Sequence, residues 1–213
     1  DVTSRYTRRN EAEYIRIRKY ILSVIHAKKG NYLVFFPSYK YMQDVAELFD
    51  EITDNVDIMM QHQNMNEEDK EEFLGRFESN ENKDKSLLGF GVMGGVFSEG
   101  IDLKNDCLIG TIIVGTGLPS INTEGELLRR YYDEKENCGY EYAYMYPGMN
   151  KVLQAAGRVI RTPADKGVIL LLDDRFLKRD HLELFPREWE HFQMVNRKNV
   201  GQCLSDFWES RGR

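Results

Sequence analysis

The 213-residue sequence predicts an α/β protein, a mostly parallel sheet with helices on both faces. Two observations carry that prediction. Segments of helical periodicity alternate with short apolar runs along most of the chain. The apolar runs are continuous rather than alternating in polarity, as in strands covered on both faces. Strands in this order are joined by right-handed crossovers, and such sheets bind ligands beyond the carboxyl ends of their strands.

Each element has its own signal. Glu11 to Ala27 places Tyr14, Ile17, Ile21, Val24 and Ile25 at helical spacing, and Gly30 ends that helix. Tyr32 to Phe36 is a buried strand. Pro37 and Ser38 open a helix running to about Asp50, with Val45, Ala46, Leu48 and Phe49 inward. Val56 to Met60 is a short second strand. Asn66 caps a helix whose early acids, Glu67, Glu68 and Asp69, suit its N-terminal dipole. Leu87 to Met93 and Leu108 to Val114 are the third and fourth strands, and Thr123 to Lys135 is a helix. Pro147 starts a further helix and Pro163 closes it. Val168 to Leu172 is the fifth strand, ending at Asp173-Asp174. From His181 onward the chain reads as a packed extension, helical or irregular, that holds Trp189 and Trp208. The expected division is a connector helix over 1–30, the main domain over 31–180 and the extension over 181–213.

Composition excludes several classes. Apolar residues make up 41% and charged residues 30%, enough of each for a core and a solvated surface. No apolar run is long enough to cross a bilayer, and Asp1 to Asn10 lacks the apolar stretch of an export signal. Cys107, Cys138 and Cys203 are scattered and odd in number. They indicate neither a zinc site nor a disulfide framework, and fit reduced thiols in a cytoplasmic protein. The net charge of −6 argues against a purely electrostatic nucleic-acid binder. The charge is uneven, however. Residues 1–29 carry eight Lys/Arg against three Asp/Glu, residues 50–85 four against twelve, and residues 151–180 seven against four. An acidic total therefore hides local basic surface.

The helix expected after Pro147 contains Gln154, Arg158 and Arg161, spaced i, i+4 and i+7. On a continuous helix these share one face, while Leu153, Ala156 and Ile160 form a separate apolar stripe. Arginine's planar fork suits bidentate contact with phosphate and stays charged. Spacing alone leaves two readings open, a polyphosphate site or a solvated face. The helix follows the fourth strand and precedes the fifth, which is expected to present that face at the strands' carboxyl ends.

Gly89-Phe90-Gly91-Val92-Met93-Gly94 matches the dinucleotide pattern GxGxxG, yet its glycines fall inside a strand and not after one. Close approach of a neighbouring element explains them better. Gly94 to Leu103 follows that strand with flexible glycines, a serine (Ser98) and two acids, Glu99 and Asp102. No GxxxxGK[ST] phosphate loop and no DExH-type magnesium box occurs in the 213 residues. If a nucleotide binds, this chain supplies part of its site.

Together these segments resemble the C-terminal motor domain of the XPD/DinG family of superfamily-two DNA helicases. Leu33-Val34-Phe35-Phe36-Pro37-Ser38-Tyr39 is similar to the family's motif IV. Gly95-Val96-Phe97-Ser98-Glu99-Gly100-Ile101-Asp102-Leu103 is similar to motif V, and Gln154-Ala155-Ala156-Gly157-Arg158-Val159-Ile160-Arg161 to motif VI. Asp173-Asp174-Arg175-Phe176 and Phe185-Pro186-Arg187-Glu188-Trp189 match its closing elements. The resemblance implies a RecA-like three-layer fold. It implies that Arg158 and Arg161 are arginine fingers reaching the γ-phosphate of ATP across an interdomain cleft, with Gln154, Glu99, Gly100 and Asp102 also facing the nucleotide. Ser38, Tyr39 and Ser98 would touch the backbone of single-stranded DNA. ATP with Mg2+ would be shared with a first RecA-like motor domain absent from this sequence, which would also hold any iron–sulfur cluster. On this reading the sequence is part of a longer helicase.

Two other functions fit the same residues. One is a degenerate nucleic-acid-binding or scaffold module of this fold. The other is a doubly wound enzyme that uses Asp173 and Asp174 at a strand end on another phosphorylated substrate. Against the latter stands a structural turn in which one of those acids pairs with Arg175.

Overall fold

The computed structural model describes residues 1–49, 55–79, 85–99 (without the side chain of Glu99), 107–160 and 165–210. Five strands form one wholly parallel sheet: β1 (Asn31–Phe36), β2 (Val56–Met60), β3 (Ser86–Val92), β4 (Gly110–Val114) and β5 (Val168–Leu172). Their spatial order is β2-β3-β1-β4-β5. The chain builds to one side of β1 and then to the other, so the order reverses at the carboxyl end of β1. A doubly wound sheet opens its ligand crevice at that point.

Successive residues of the central strand point to opposite layers. Val34 and Phe36 enter an apolar cluster with Ile17, Ile21 and Val24 of α1 (Glu11–Ala27), Val45 of α2 (Tyr39–Ala46) and Leu204 of α8 (Val200–Glu209). Leu33 and Phe35 enter a second cluster, built with Phe73 and Phe77 of α3 (Glu67–Glu78), Phe97 of α4 (Val96–Glu99) and Val152 of α6 (Tyr146–Ala156). This is the expected three-layer arrangement. It explains why β1 is apolar at consecutive positions, since neither of its faces meets water. The expected connector helix, α1, shares its cluster with β1.

The cap read at Asn66 is formed, and Asn10 caps α1 in the same way. Asn10 accepts from the Glu13 backbone N–H at 3.0 Å at the start of α1. Asn66 and Asp69 make a reciprocal capping box at the start of α3, with bonds of 2.8 and 2.9 Å. Each such cap contributes about 1 kcal/mol. Gly89 and Gly91 of the GxGxxG segment lie within β3 as expected, and Gly94 follows the strand in the next turn. A Cβ on Gly89 would stand 2.6 Å from Phe77 Cζ and 2.9 Å from Phe73 Cζ, so the glycine lets α3 seat its two rings on the sheet.

One element departs from expectation. The helix after Pro147 ends at Ala156, and Gly157 turns the chain with φ −65° and ψ 0°. The backbone N–H groups of Arg158 and Val159 then donate only three residues back, to Ala155 and Ala156 at 3.4 and 3.3 Å. Tight turns thus replace the helix, and glycine, a poor helix former, stands where the change occurs. Arg158 lies in those turns, so Gln154 and Arg158 do not share a continuous helix. The expected apolar stripe also ends here: Ala156 is buried but Ile160 is exposed, and it is Val159 that packs into the second cluster from beyond the helix end. The expected close at Pro163 lies outside the described residues. Before α6 the chain passes through α5 (Thr123–Glu136), whose residues are all at least partly exposed, and a π-helical turn over Glu141–Met145; a short helix, α7 (Arg179–Leu182), follows β5.

Candidate nucleotide and nucleic-acid site

The carboxyl edge of the sheet gathers Ser38 and Tyr39 after β1, Gln61 after β2 and the Gly94-Gly95 turn after β3. Ser38 caps α2 by accepting from the Tyr41 backbone N–H at 3.3 Å, which leaves its hydroxyl proton available to another acceptor. Tyr39 is half-buried, and its hydroxyl accepts from Gln61 Nε2 at 2.9 Å. Burial pushes the Tyr39 phenol above its ordinary pKa, so it stays a proton donor.

Gln61 organises this edge, and the motifs do not include it. Its Oε1 accepts from the Val92 backbone N–H at 3.0 Å while Nε2 donates to Tyr39. One buried amide thus ties the ends of β2 and β3 to the first turn of α2. A lone glutamine after an apolar run carries no local signal. Its role exists because β2 and β3 are neighbours in space.

Gly94 turns the chain at φ +72° and α4 follows. The Ser98 hydroxyl is buried and donates to the Gly95 carbonyl at 2.9 Å. In this arrangement the Ser98 side chain closes the loop on itself. The Ser98 carbonyl accepts from Arg158 Nε at 3.2 Å. That bond joins the far end of α4 to the turn after α6. Arg158 thus faces the motif V loop, but not at the carboxyl edge as expected. Val159 sits against Gly167 and Ile109, where β4 and β5 begin. A crossover helix runs antiparallel to the strands it joins, so the residues at its end return to their amino side. Gln154 is exposed on the last turn of α6. Gly100, Asp102, Arg161 and the side chain of Glu99 lie outside the described residues.

A second residue outside the motifs is Lys151. A Cβ on Gly94 would stand 3.1 to 3.3 Å from its Cε, Cδ and Nζ, so the lysine reaches along α6 to the glycine turn. Its spacing is a usable signal, because Lys151 and Gln154 are i and i+3 on one helical face. Lys151, Gln154 and Arg158 together run from the carboxyl edge toward the amino edge.

Asp173 is committed elsewhere. Its side chain is 0% exposed. Oδ1 accepts from Arg175 Nε at 2.8 Å, and Oδ2 accepts from the Ser4 backbone N–H at 2.8 Å and the Ser4 hydroxyl at 2.7 Å. Burial alone would raise its pKa. The hydrogen bonds and charge of Arg175, with the Ser4 hydroxyl, outweigh burial and hold it at about 2. Asp174 is half-exposed and pairs with Arg5 at 3.4 Å. The two acids make a structural turn and not a base or magnesium site. Among the described residues no group of three or more His, Cys, Asp or Glu could hold a metal, and no helix is long and apolar enough to cross a membrane.

Known proteins share this architecture. Residues 21–192 match the family described as the helicase C-terminal domain. The ATP-dependent DNA helicase XPD of Sulfolobus acidocaldarius is 29% identical over 180 residues, 83% of this chain and 30% of that protein. The 3'-5' exonuclease DinG of Staphylococcus epidermidis is 30% identical over 96% of this chain and 22% of its own length. A solved structure of apo XPD superposes with a TM-score of 0.66 at 29% identity, over 83% of this chain and 35% of that one. A second, of XPD helicase, gives 0.67 at 27% identity, over 86% and 32%. The chain thus spans between a fifth and about a third of the length of these relatives. The motif order, the parallel sheet and these likenesses converge: the chain belongs to the helicase C-terminal domain family, of the XPD/DinG type.

Proposed function

We propose that this chain works as the second motor domain of an ATP-dependent DNA helicase. It supplies arginines to a nucleotide held mainly by a first motor domain and offers contacts to single-stranded DNA. The observation that carries this reading is the bond from Arg158 Nε to the Ser98 carbonyl. It links the turn that bears Arg158 to the loop that begins at Gly94-Gly95 on the carboxyl edge. Ser38 and Tyr39 stand at that same edge, where hydroxyl donors and the N-terminus of α2 suit a phosphate backbone.

The donor set fits the γ-phosphate end of ATP. Arg158 and, by its place in the motif, Arg161 offer donors alone, and the exposed Gln154 amide offers an NH2 donor beside its carbonyl acceptor. Glu99, Gly100 and Asp102 would line the same cleft. Magnesium and the other phosphates would be held by the first motor domain, since no phosphate loop occurs in these 213 residues. Bound ATP supplies the phosphoanhydride whose cleavage drives the cycle. The guanidiniums would stabilise charge that develops on the transferred phosphoryl group, a contribution of about 10³–10⁵ in rate. Because they sit on a separate domain, closure depends on nucleotide, and the bond to Ser98 passes that closure to the loop facing DNA.

The test uses a protein that carries both motor domains. Arg161→Ala abolishes DNA-stimulated ATP turnover while leaving ATP binding largely intact. Unchanged turnover removes Arg161 from the mechanism. The 213-residue chain alone does not turn over ATP, and robust hydrolysis by the purified chain contradicts the shared-site reading.

A further inference from the structure

Residues 5–9 form a separate feature that neither the motifs nor the nucleotide site uses. Tyr6 is a large aromatic residue left 84% exposed, in a short 3-10 turn over Tyr6–Arg8. Its ring offers a flat apolar face with a polar tip to solvent. Arg5, Arg8 and Arg9 flank it in the sequence. Arg8 is exposed and forms no ion pair among the described residues. Arg5 is tied to Asp174 at 3.4 Å. The Arg9 guanidinium lies 5.6 Å from the Tyr6 ring centre and 4.7 Å from that of Tyr41, and its Nε donates to the Ser4 carbonyl at 3.1 Å.

These neighbours fix where the turn sits. Ser4 is bonded to Asp173 at the end of β5, and a Cβ on Gly115, after β4, would stand 2.5 Å from Ser4 Oγ. Tyr41 lies in the first turn of α2, and its backbone N–H donates to Ser38. The stack of Tyr6, Arg9 and Tyr41 therefore leads directly to Ser38. The exposed ring and its arginines lie on the carboxyl edge, beside the residues already assigned to DNA.

We propose that Tyr6 and Arg8 extend the single-strand track on this domain, Tyr6 as a stacking platform for a base and Arg8 as a contact to the adjoining phosphate. The proposal rests on the single-strand reading of Ser38 and Tyr39 and adds residues to it. An exposed ring offers a face to any base, and the neighbouring guanidiniums draw in the backbone, so this contact is tolerant of sequence. Arg9 is occupied between two rings and holds the platform in place. The surplus of positive charge over residues 1–29 steers the strand to it.

The test measures binding of a fluorescein-labelled twenty-nucleotide oligo-dT to the 213-residue chain by anisotropy across a salt series. Tyr6→Ala weakens binding about tenfold, and Tyr6→Phe does not. On a strand with abasic sites, Tyr6→Ala has no effect. Arg8→Ala lowers the slope of log affinity against log salt by about 0.7, the change expected when one phosphate of a single strand is no longer neutralised. Lys198→Ala, which removes a cation in the turn before α8, leaves the slope unchanged. Equal effects of Arg8→Ala and Lys198→Ala, or full binding by Tyr6→Ala, overturn the proposal. Binding that survives Tyr6→Ala but falls with Tyr39→Phe leaves the single-strand reading standing without this extension. No binding by the wild-type chain removes both.

Discussion

At the scale of single residues, Asp173 shows how an acid at a strand end can be structural. Its carboxylate is closed in by Arg175 and Ser4. Its pKa is about 2 in the folded chain against an ordinary value of 3.8. A carboxylate depressed on folding stabilises the protein above its unfolded pKa, and that stabilisation is lost as pH falls through the folded value. The contribution is about 2 kcal/mol at neutral pH, and it fades between roughly pH 4 and pH 2. Asp173→Asn leaves the buried Arg175 charge without its partner and costs about 3 kcal/mol at pH 7. Urea unfolding checks both statements. The substitution lowers the midpoint strongly at pH 7, and it flattens the loss of stability between pH 4 and pH 2. An unchanged midpoint at pH 7 shows that the clasp is dispensable.

At the scale of elements, the five strands are readable from sequence because their covered faces demand apolar runs. The Asn66 cap is readable because it acts on a neighbour three residues away. The strand order is not readable, since it is decided by which faces pack. The end of α6 is hidden for a related reason. Val159 is apolar because it packs beyond the helix, not because the helix continues. Two glycines test this distinction between local and tertiary causes. Gly75, exposed within α3, has nothing within 4 Å of the Cβ it lacks. Gly75→Ala therefore stabilises the chain by about 0.5–1 kcal/mol through helix propensity and a less free unfolded chain. Gly89→Ala thrusts a methyl group at Phe77 and Phe73 and destabilises by about 1–3 kcal/mol. Thermal melts of the two variants shift in opposite directions. A shift in the same direction means that α3 does not press on β3 as described.

At the scale of the whole molecule, the candidate site is one connected path. Ser38 and Tyr39 stand at the carboxyl edge, Gln61 fastens them to the end of β3, and α4 leads from there to Arg158. Sequence motifs locate both ends of that path but not its middle, because Gln61 acts across strands. Gln61 permits a sharp test. Its amide orientation is fixed chemically, since the Val92 N–H can meet only an acceptor and so takes Oε1. Nε2 must then donate to Tyr39, which leaves the tyrosine proton for another acceptor, on the proposed reading a phosphate oxygen. Gln61→Glu keeps the bond to Val92 and the side-chain volume, but it replaces the donor with a second acceptor. The Tyr39 proton turns inward to satisfy that acceptor, and a negative charge is added near the strand. Affinity for oligo-dT then falls about tenfold, a loss of roughly 1.4 kcal/mol. In a Tyr39→Phe background there is no hydroxyl to reorient, so Gln61→Glu has a much smaller further effect. The double-mutant cycle measures that coupling directly. Additive losses mean that Gln61 acts through charge alone and that Tyr39 does not deliver its proton to the strand.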